Sequence, residues 1–478
     1  MRVSHAGPAL SHSFDDPNLV SCAGLAPVMA LARRCGLHTL TANTLTLKAA
    51  GGVNAPVKVN CLVGGMVAGA DSIADMDLLR HGGMRRLFQD LRAPSTLGTF
   101  LRSFTFGHVR QLDAVAARLL PRLARTCPLL PGADQVCYVD VDDTVRQVHG
   151  YAKQGVGYGY SGVKGLNALL ATASTPLSAP VILATRLRKG SVNSARGAAR
   201  LVTDALVTAR AAGAGGPQGR SGNTGLVLLR ADSAFFSHDV LAAARRTGAH
   251  FSVTARMNPA VVAAISRIEP TAWTAIRYPH AIWDTDEQRW ISDAEVAEVA
   301  FTAFTSRRKA EHLTGRLIVR RVKRLNPRSR STTGSASGAQ QGELFAAHRH
   351  HAVFTDSQLS MLIAERTHRA HAIIEQVIAD LKNGPLAHLP SGKFTANAAW
   401  LVLAAIAFNL TRAAGCLAST VHARATTGTL RTQLIAVPGR LARSARRLVL
   451  HLPQHWPWQD ALEQLIASAT GPPTATSR

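Results

Sequence analysis

Acidic residues are scarce in this chain of 478 residues: 29 aspartates and glutamates stand against 54 lysines and arginines, a formal net charge of +25. A field of that sign disfavours cationic partners and favours a polyanion, of which nucleic acid is the commonest. Codon bias in a GC-rich genome accounts for arginine in place of lysine, but it does not thin out the acids. Cysteine is also sparse. The six, Cys22, Cys35, Cys61, Cys127, Cys137 and Cys416, form no CxxC pair, which leaves neither a zinc spacing nor a disulfide framework and points to reduced core thiols. No uninterrupted apolar run approaches the ~18 residues of a membrane span. The opening MRVSHAGPALSHSFDD lacks the apolar core of a secretion signal. These absences lead to the expectation of a cytoplasmic, nucleoid-associated protein with no membrane partner.

What is present is enough apolar material, 46%, to build a sizeable core, in a chain too long for one compact unit. Residues 1–130 read as a helical domain for DNA binding or dimerisation. The stretch 93–123 opens on Pro94-Ser95-Thr96 and continues with amphipathic spacing. At 136–145 the period changes to two: Val136, Tyr138, Asp140 and Asp142 alternate with Cys137, Val139 and Val141. Short apolar strands, a basic loop at 186–197 and helices follow to 257, an α/β pattern. Residues 258–345 read as a partly β insertion with Trp273, Trp283, Trp290 and a strand at 316–324, ending in a polar linker at 326–342. Residues 346–415 form a further segment that reads as helical from 357 to 413, and 416–478 form a basic C-terminal region with a strand-like stretch at 440–453.

Three acids stand in positions that suit phosphate chemistry. Asp142 follows the strand VCYVDV, Asp232 follows LVLLRA, and Glu375 lies on the helical stretch HRAHAIIEQVIADLKNG, 368–384. At about 100° per residue, His368, His371, Glu375 and Lys382 fall on one polar stripe of that helix, while Ile374, Val377, Ile378 and Leu381 supply its packing face. A solvated helix face would show the same amphipathicity. It would not account for two upstream acids at strand ends. Magnesium is commonly held by a few carboxylates plus substrate phosphate. Two ions ~3.5–4 Å apart can serve the attacking and the leaving oxygen of an in-line displacement.

The order VDVDDT, LLRADS and H-x2-H-x3-E-x6-K resembles the DDE transposases of bacterial insertion sequences, whose third acid sits in a Y-x2-R-x3-E-x6-K signature. The resemblance extends to APSTLGTFLRSFTFGHVRQLD (93–113), YGYSGVKGLNALLAT (158–172) and DLKNGPLAHLPSGKFTANAAWL (380–401). It implies an α/β, RNase H-like catalytic core in two parts, 131–257 and 346–415, interrupted by the insertion. It implies cleavage at transposon ends and strand transfer, with Asp142, Asp232 and Glu375 catalytic and holding two Mg2+ ions, for which Mn2+ substitutes. The implied partners are double-stranded DNA with terminal inverted repeats, target DNA, and a second copy of the chain in the DNA complex. Where the cognate enzymes cut the second strand through a hairpin, an aromatic residue of the insertion holds a flipped base. Trp273, Trp283 and Trp290 are the candidates.

The family's tyrosine and arginine, which bind phosphate near the transposon end, fall here on His368 and His371. A histidine is fully charged only below its pKa of ~6.5, so end binding is expected to strengthen as pH falls or to shift to Arg369. Lys382 matches the signature as a point charge for phosphate. Arg186, Arg188 and Lys189 in the basic loop, with Arg230 beside Asp232, complete the expected DNA contacts. Asp140 shares a face with Asp142 and is the other candidate for the first acid. The run HRHH at 348–351 reads as an exposed basic stretch. The rival function is a transposase-derived DNA-binding protein without turnover; the presence of all three acids and Lys382 argues against such decay.

Overall fold

The computed structural model describes residues 12–47, 50–149, 153–159, 162–216, 225–284, 289–323, 348–444 and 447–470. The polar linker expected at 326–342 and most of the glycine-rich stretch at 213–224 lie outside them. After a short strand, β1 (Leu19–Val20), come six helices: α1 (Leu25–Arg34), α2 (Leu37–Thr44), α3 (Ala55–Ala68), α4 (Met84–Leu87), α5 (Pro94–Arg102) and α6 (Phe106–Thr126). The last starts where the Thr105 hydroxyl accepts the N–H of His108 and the His108 ring accepts that of Thr105, a reciprocal cap. Its Val109, Leu112, Val115, Leu119 and Leu123 fall at helical spacing and are buried.

The alternating segment forms β2 (Val136–Gln147), followed by β3 (Gly157–Tyr158), β4 (Lys164–Ser174) and β5 (Val181–Lys189). Then come α7 (Ala198–Ala211), β6 (Leu226–Ala231), α8 (His238–Arg246), β7 (His250–Thr254) and α9 (Pro259–Ile265). The remaining strands of this sheet are β8 (Thr274–Asp284), β9 (Arg289–Ala303), β10 (Leu313–Lys323) and β11 (His348–Thr355). The path across the sheet is β3-β4-β2-β6-β7-β11-β10-β9-β8, with β5 also on β4. β2, β6 and β7 are parallel neighbours; β4 and β11 flank them antiparallel.

The expected insertion is therefore not a separate β unit. Its strands β10, β9 and β8 prolong the central sheet through β11. HRHH is not an exposed run: His348–His351 are half-buried and pair with Arg320–Lys323 as the first half of β11. The expected basic loop also begins later, because Arg186 and Arg188 belong to β5.

The chain closes with α10 (Met361–Arg369), α11 (Ile373–Lys382), α12 (Phe394–Ala418), α13 (Thr427–Leu430), β12 (Gly439–Ser444), β13 (Arg447–His451) and α14 (Gln459–Thr470). By length and composition α12 could cross a membrane, yet 89% of its apolar window is buried inside the protein. It is the central rod of the helical half, packed on α3, α5, α6, α14 and β5. Trp400 is fully buried there and donates its indole N–H to the Pro385 carbonyl at 2.6 Å. The Asn409 amide exchanges two hydrogen bonds with the Ile182 backbone, 2.8 and 2.7 Å, as a strand neighbour would.

The two ends of the chain meet. β1 pairs with β12, α14 packs on α1 and α12, and one buried core runs from Val20 to Ala469. Gly24 marks the tightest approach: a Cβ there would stand 1.7 Å from the Leu434 carbonyl oxygen. Both partners are backbone, so neither can swing aside. Gly24→Ala is expected to destabilise the fold by about 1–3 kcal/mol, read by urea denaturation. An unchanged midpoint would show that the N- and C-terminal segments do not share a core.

Candidate active site

Parallel pairing sets Asp140 beside Arg230 and Val141 beside Ala231. Because side chains alternate, one face of β2 presents Tyr138, Asp140, Asp142, Thr144 and Arg146. The matching face of β6 presents Leu228 and Arg230, and Asp232 follows one step past the last paired residue. The opposite face, with Cys137, Val139, Val141, Val227, Leu229 and Ala231, is buried. Asp232 thus stands at the carboxyl end of β6, while Asp142 lies within β2, one residue past the end of its pairing with β6. β2 runs on to Gln147 against β4, so the strand end expected at Asp142 is not found there. The two strands lie about 4.8 Å apart.

The Asp142 carboxylate accepts the Asp143 N–H at 2.7 Å, and that of Asp232 accepts the Ala234 N–H at 3.0 Å. Neither has an ion-pair partner among the described residues. Burial pushes the Asp142 carboxyl up to about 7; the negative charges of Asp232 and Asp143 add to this, against the Asp143 N–H and the His371 charge. Asp232 is open to solvent along one edge, but burial of the rest of its carboxyl raises its pKa too.

The neighbouring aspartates have other partners. Asp140 is fully buried, and its two oxygens take Arg230 Nε and Nη2 at 2.7 Å each. Burial alone would raise its pKa, but Arg230 and the His371 hydrogen bond hold it below the usual carboxylate range. Asp143 is paired with the buried Arg188. Of the three crowded acids, only Asp142 carries no cation, and it is half-buried.

The helix expected over 368–384 is broken. α10 ends at Arg369, a 3-10 turn covers Ala370–Ala372, and α11 begins at Ile373. The sheet holds this corner at three points. Arg230 Nη1 donates to the Thr367 carbonyl at 2.7 Å. His368 lies between the hydroxyls of Ser252 and Thr254, 3.0 and 2.9 Å away. His371 Nδ1 is 3.0 Å from Asp140 Oδ1.

Several expected DNA contacts are therefore internal. His368 is buried, and burial, with the charges of His371 and Arg230, pushes its pKa down to about 3. It stays neutral at physiological pH and offers DNA no surface. Arg230 is 1% exposed and spent on Asp140, Thr367 and the Tyr138 ring, 4.3 Å away. Arg188 binds Asn167, Asp143 and the Ser194 and Arg196 carbonyls, shaping its loop from inside. Arg186 pairs with Asp204, which also binds Arg110.

Lys189 is exposed, and Arg369 is half-buried between Glu365 and the Tyr278 ring. Lys382 is half-buried near Asp142 and Arg146; burial and the Arg146 charge lower its pKa. Sequence reasoning passed over Arg146, although the two-residue alternation of β2 places it on the Asp142 face. Its Nε is buried without a partner.

Glu375 is exposed on α11. No group of three His, Cys, Asp or Glu side chains among the described residues is close enough to hold an ion. The three carboxylates do not form such a group; Asp142 and Asp232 are close enough for the charge of Asp232 to raise the Asp142 pKa, and Glu375 lies on the surface of α11. The pair nevertheless fits a hard divalent cation, being two oxygen donors that repel each other with no cation bound to either.

Farther out, Trp283 and Trp290 face each other across β8 and β9, ring centres 5.3 Å apart, 42% and 65% exposed. Trp273 is capped by Arg321 at 4.1 Å. The model of a family described as transposase DDE domain group 1 matches residues 4–470 of this chain. No curated protein shows a significant match to it.

The Asp142 shift gives a pH test. The folded carboxyl keeps its proton to about pH 7, the unfolded one only to ~3.9. Between those values the native state binds more protons, so this group makes the fold less stable as pH rises. In EDTA, Asp142→Asn is expected to melt above the wild type at pH 8, with the gap closing toward pH 4. Equal melting temperatures at pH 8 would contradict a carboxyl whose pKa burial holds that high.

Proposed function

We propose, from the premise that this chain belongs to the DDE transposase family, that it cuts DNA at the ends of its own element and joins them to target DNA. The observation that carries the reading is the placement of Asp142 and Asp232 on the adjacent strands β2 and β6, where their pairing stops, with no ion-pair partner among the described residues and packed under a helix that bears Glu375 and Lys382. DDE transposases generally use divalent metals, and Asp142 and Asp232 are the residues that would hold one here, with Glu375 completing the set. Bound there, Mg2+ or Mn2+ would supply charge neutralisation and oxygen activation for displacement at phosphorus.

The chain's own residues have separable tasks in this reading. Lys382 and Arg146 bind backbone phosphate beside the carboxylates, where two crowded cations favour an anion between them. Lys189 and Arg369 extend the contact. Water attacks the phosphate at the element's end and frees a 3′-hydroxyl, which then attacks a phosphate of the target. The exposed Trp283–Trp290 pair offers an aromatic surface for an unstacked base, whereas Trp273 is already covered. Two copies of the chain act on the two ends.

Asp142→Ala, Asp232→Ala and Glu375→Ala are each expected to abolish end cleavage in Mg2+ while leaving gel-shift affinity for end DNA near wild type. Cleavage retained by Glu375→Ala would remove that residue from the set.

Affinity should also be strongly ionic. Each phosphate contact is expected to contribute about 0.9 to the slope of log affinity against log salt. A flat salt dependence would overturn the backbone-contact reading of the +25 charge.

A further inference from the structure

Five polar residues are aligned across five neighbouring strands. Thr172, Asp140, Arg230, Ser252 and Thr355 are successive register partners on β4, β2, β6, β7 and β11. A buried row of this kind is costly unless its members are satisfied. Part of its hydrogen-bonding capacity is directed upward, into the corner between α10 and α11.

The three tethers of that corner are unevenly placed. Arg230 to Thr367, and Ser252 with Thr254 to His368, hold the last turn of α10. Only the His371–Asp140 hydrogen bond lies beyond it, inside the 3-10 turn. Its neighbours Ala370 and Ala372 carry no group that could replace it. Glu375 follows one helical turn later, about 6 Å along the axis.

α11 is otherwise seated by Ile374, Val377, Ile378 and Leu381 and, near its C-terminal end, by Asp380, whose carboxylate accepts the Thr427 N–H at 2.9 Å. Apolar contacts are not directional, and the Asp380 bond lies more than a turn beyond Glu375. At the N-terminal turn that carries Glu375, the hydrogen bond to a buried carboxylate, itself locked by a two-pronged arginine, supplies the direction.

We propose that His371 is a positioning residue, whose hydrogen bond to Asp140 fixes the entry angle of α11 and so where Glu375 stands relative to Asp142 and Asp232. It makes no contact with the substrate. The inference rests on Glu375 being the third acid. In this chain the position is thus an internal strut instead of a phosphate contact, with the rigid Asp140–Arg230 pair as its footing. Arg230 and His368 are the fixed side of the hinge, and His371 is the pin that transmits their placement to α11.

The test separates rate from affinity, using the full-length protein, a duplex bearing the element's end, and Mg2+. Misplacing a reacting group by ~1 Å can cost about 100-fold in rate, so His371→Ala is expected to slow single-turnover cleavage at saturating DNA by about that factor. End affinity should stay within about twofold of wild type. His371→Asn keeps an N–H donor near the Nδ1 position and should recover most of the rate. His371→Gln, whose amide lies farther out, should stay slow. If His371→Ala proves unstable, the contrast between the Asn and Gln variants carries the same test.

Hydrogen exchange supplies a readout free of activity: amides of 373–377 should exchange faster in His371→Ala than in wild type or His371→Asn. Wild-type rates in His371→Ala, or a loss of affinity in place of rate, would overturn the proposal. A Glu375→Ala protein that still cleaves would instead defeat the third-acid reading, and the exchange result would stand apart from it.

Discussion

The buried pair between Asp140 and Arg230 is the contact on which the rest of the site depends. Two charges taken out of water each carry a desolvation penalty of several kcal/mol, and only excellent geometry offsets it. Here the geometry is two parallel bonds of 2.7 Å, with Arg230 turning its remaining prong to the Thr367 carbonyl. A pair of that kind adds little net stability over an apolar substitute. What it adds is direction: it locks the register of β2 against β6, and it gives the α10–α11 corner a fixed point. Losing one partner would leave an unpaired charge in the middle of the sheet.

Around that point, three aspartates within four residues of one strand have become three different groups. Asp140 is an ion in a buried lattice of donors, Asp143 is tied to Arg188, and Asp142 is left without a cation. The partition follows from side-chain alternation and from which neighbouring strand supplies a cation: β6 gives Arg230 to one face, and β5 gives Arg188 toward Asp143. Asp142 receives a backbone N–H and some relief from His371, against burial and the negative charges of Asp232 and Asp143. That imbalance, with crowded acids where β2 and β6 part and crowded cations at Arg146 and Lys382 beside them, is the electrostatic pattern a metal and a phosphate would jointly relieve.

The outer half of the sheet serves a different end. β11 returns to pair with β7 and carries β10, β9 and β8 outward. The exposed Trp283–Trp290 pair is therefore mounted on a continuation of the catalytic sheet, not on a tethered module. Arg369, between Glu365 and the Tyr278 ring, links the end of α10 to β8. The corner that precedes Glu375 and the strand that leads to the tryptophans thus share a contact.

The sequence by itself determined the local chemistry. The change of period at 136, the apolar stripes of α6 and α11, the strand-end placement of Asp232, and the excess of cations were all legible, because each depends on residues close along the chain or on composition alone; that β2 runs five residues past Asp142 was not, because β4 supplies its pairing there. It could not say which of Asp140 and Asp142 was free, since that depends on an arginine some ninety positions away that only strand pairing brings alongside. For the same reason Arg230, Arg188 and His368 read as surface contacts and proved internal: charge is visible in a sequence, but burial is a property of the packed neighbours. The break at 370–372 was hidden too. Its residues favour helix, and the turn is imposed by hydrogen bonds from β2, β6 and β7. Tertiary structure alone decided that the strands of 258–345 would extend the sheet and that the two ends of the chain would share one core, because each of these depends on long-range pairing and packing that no local pattern encodes.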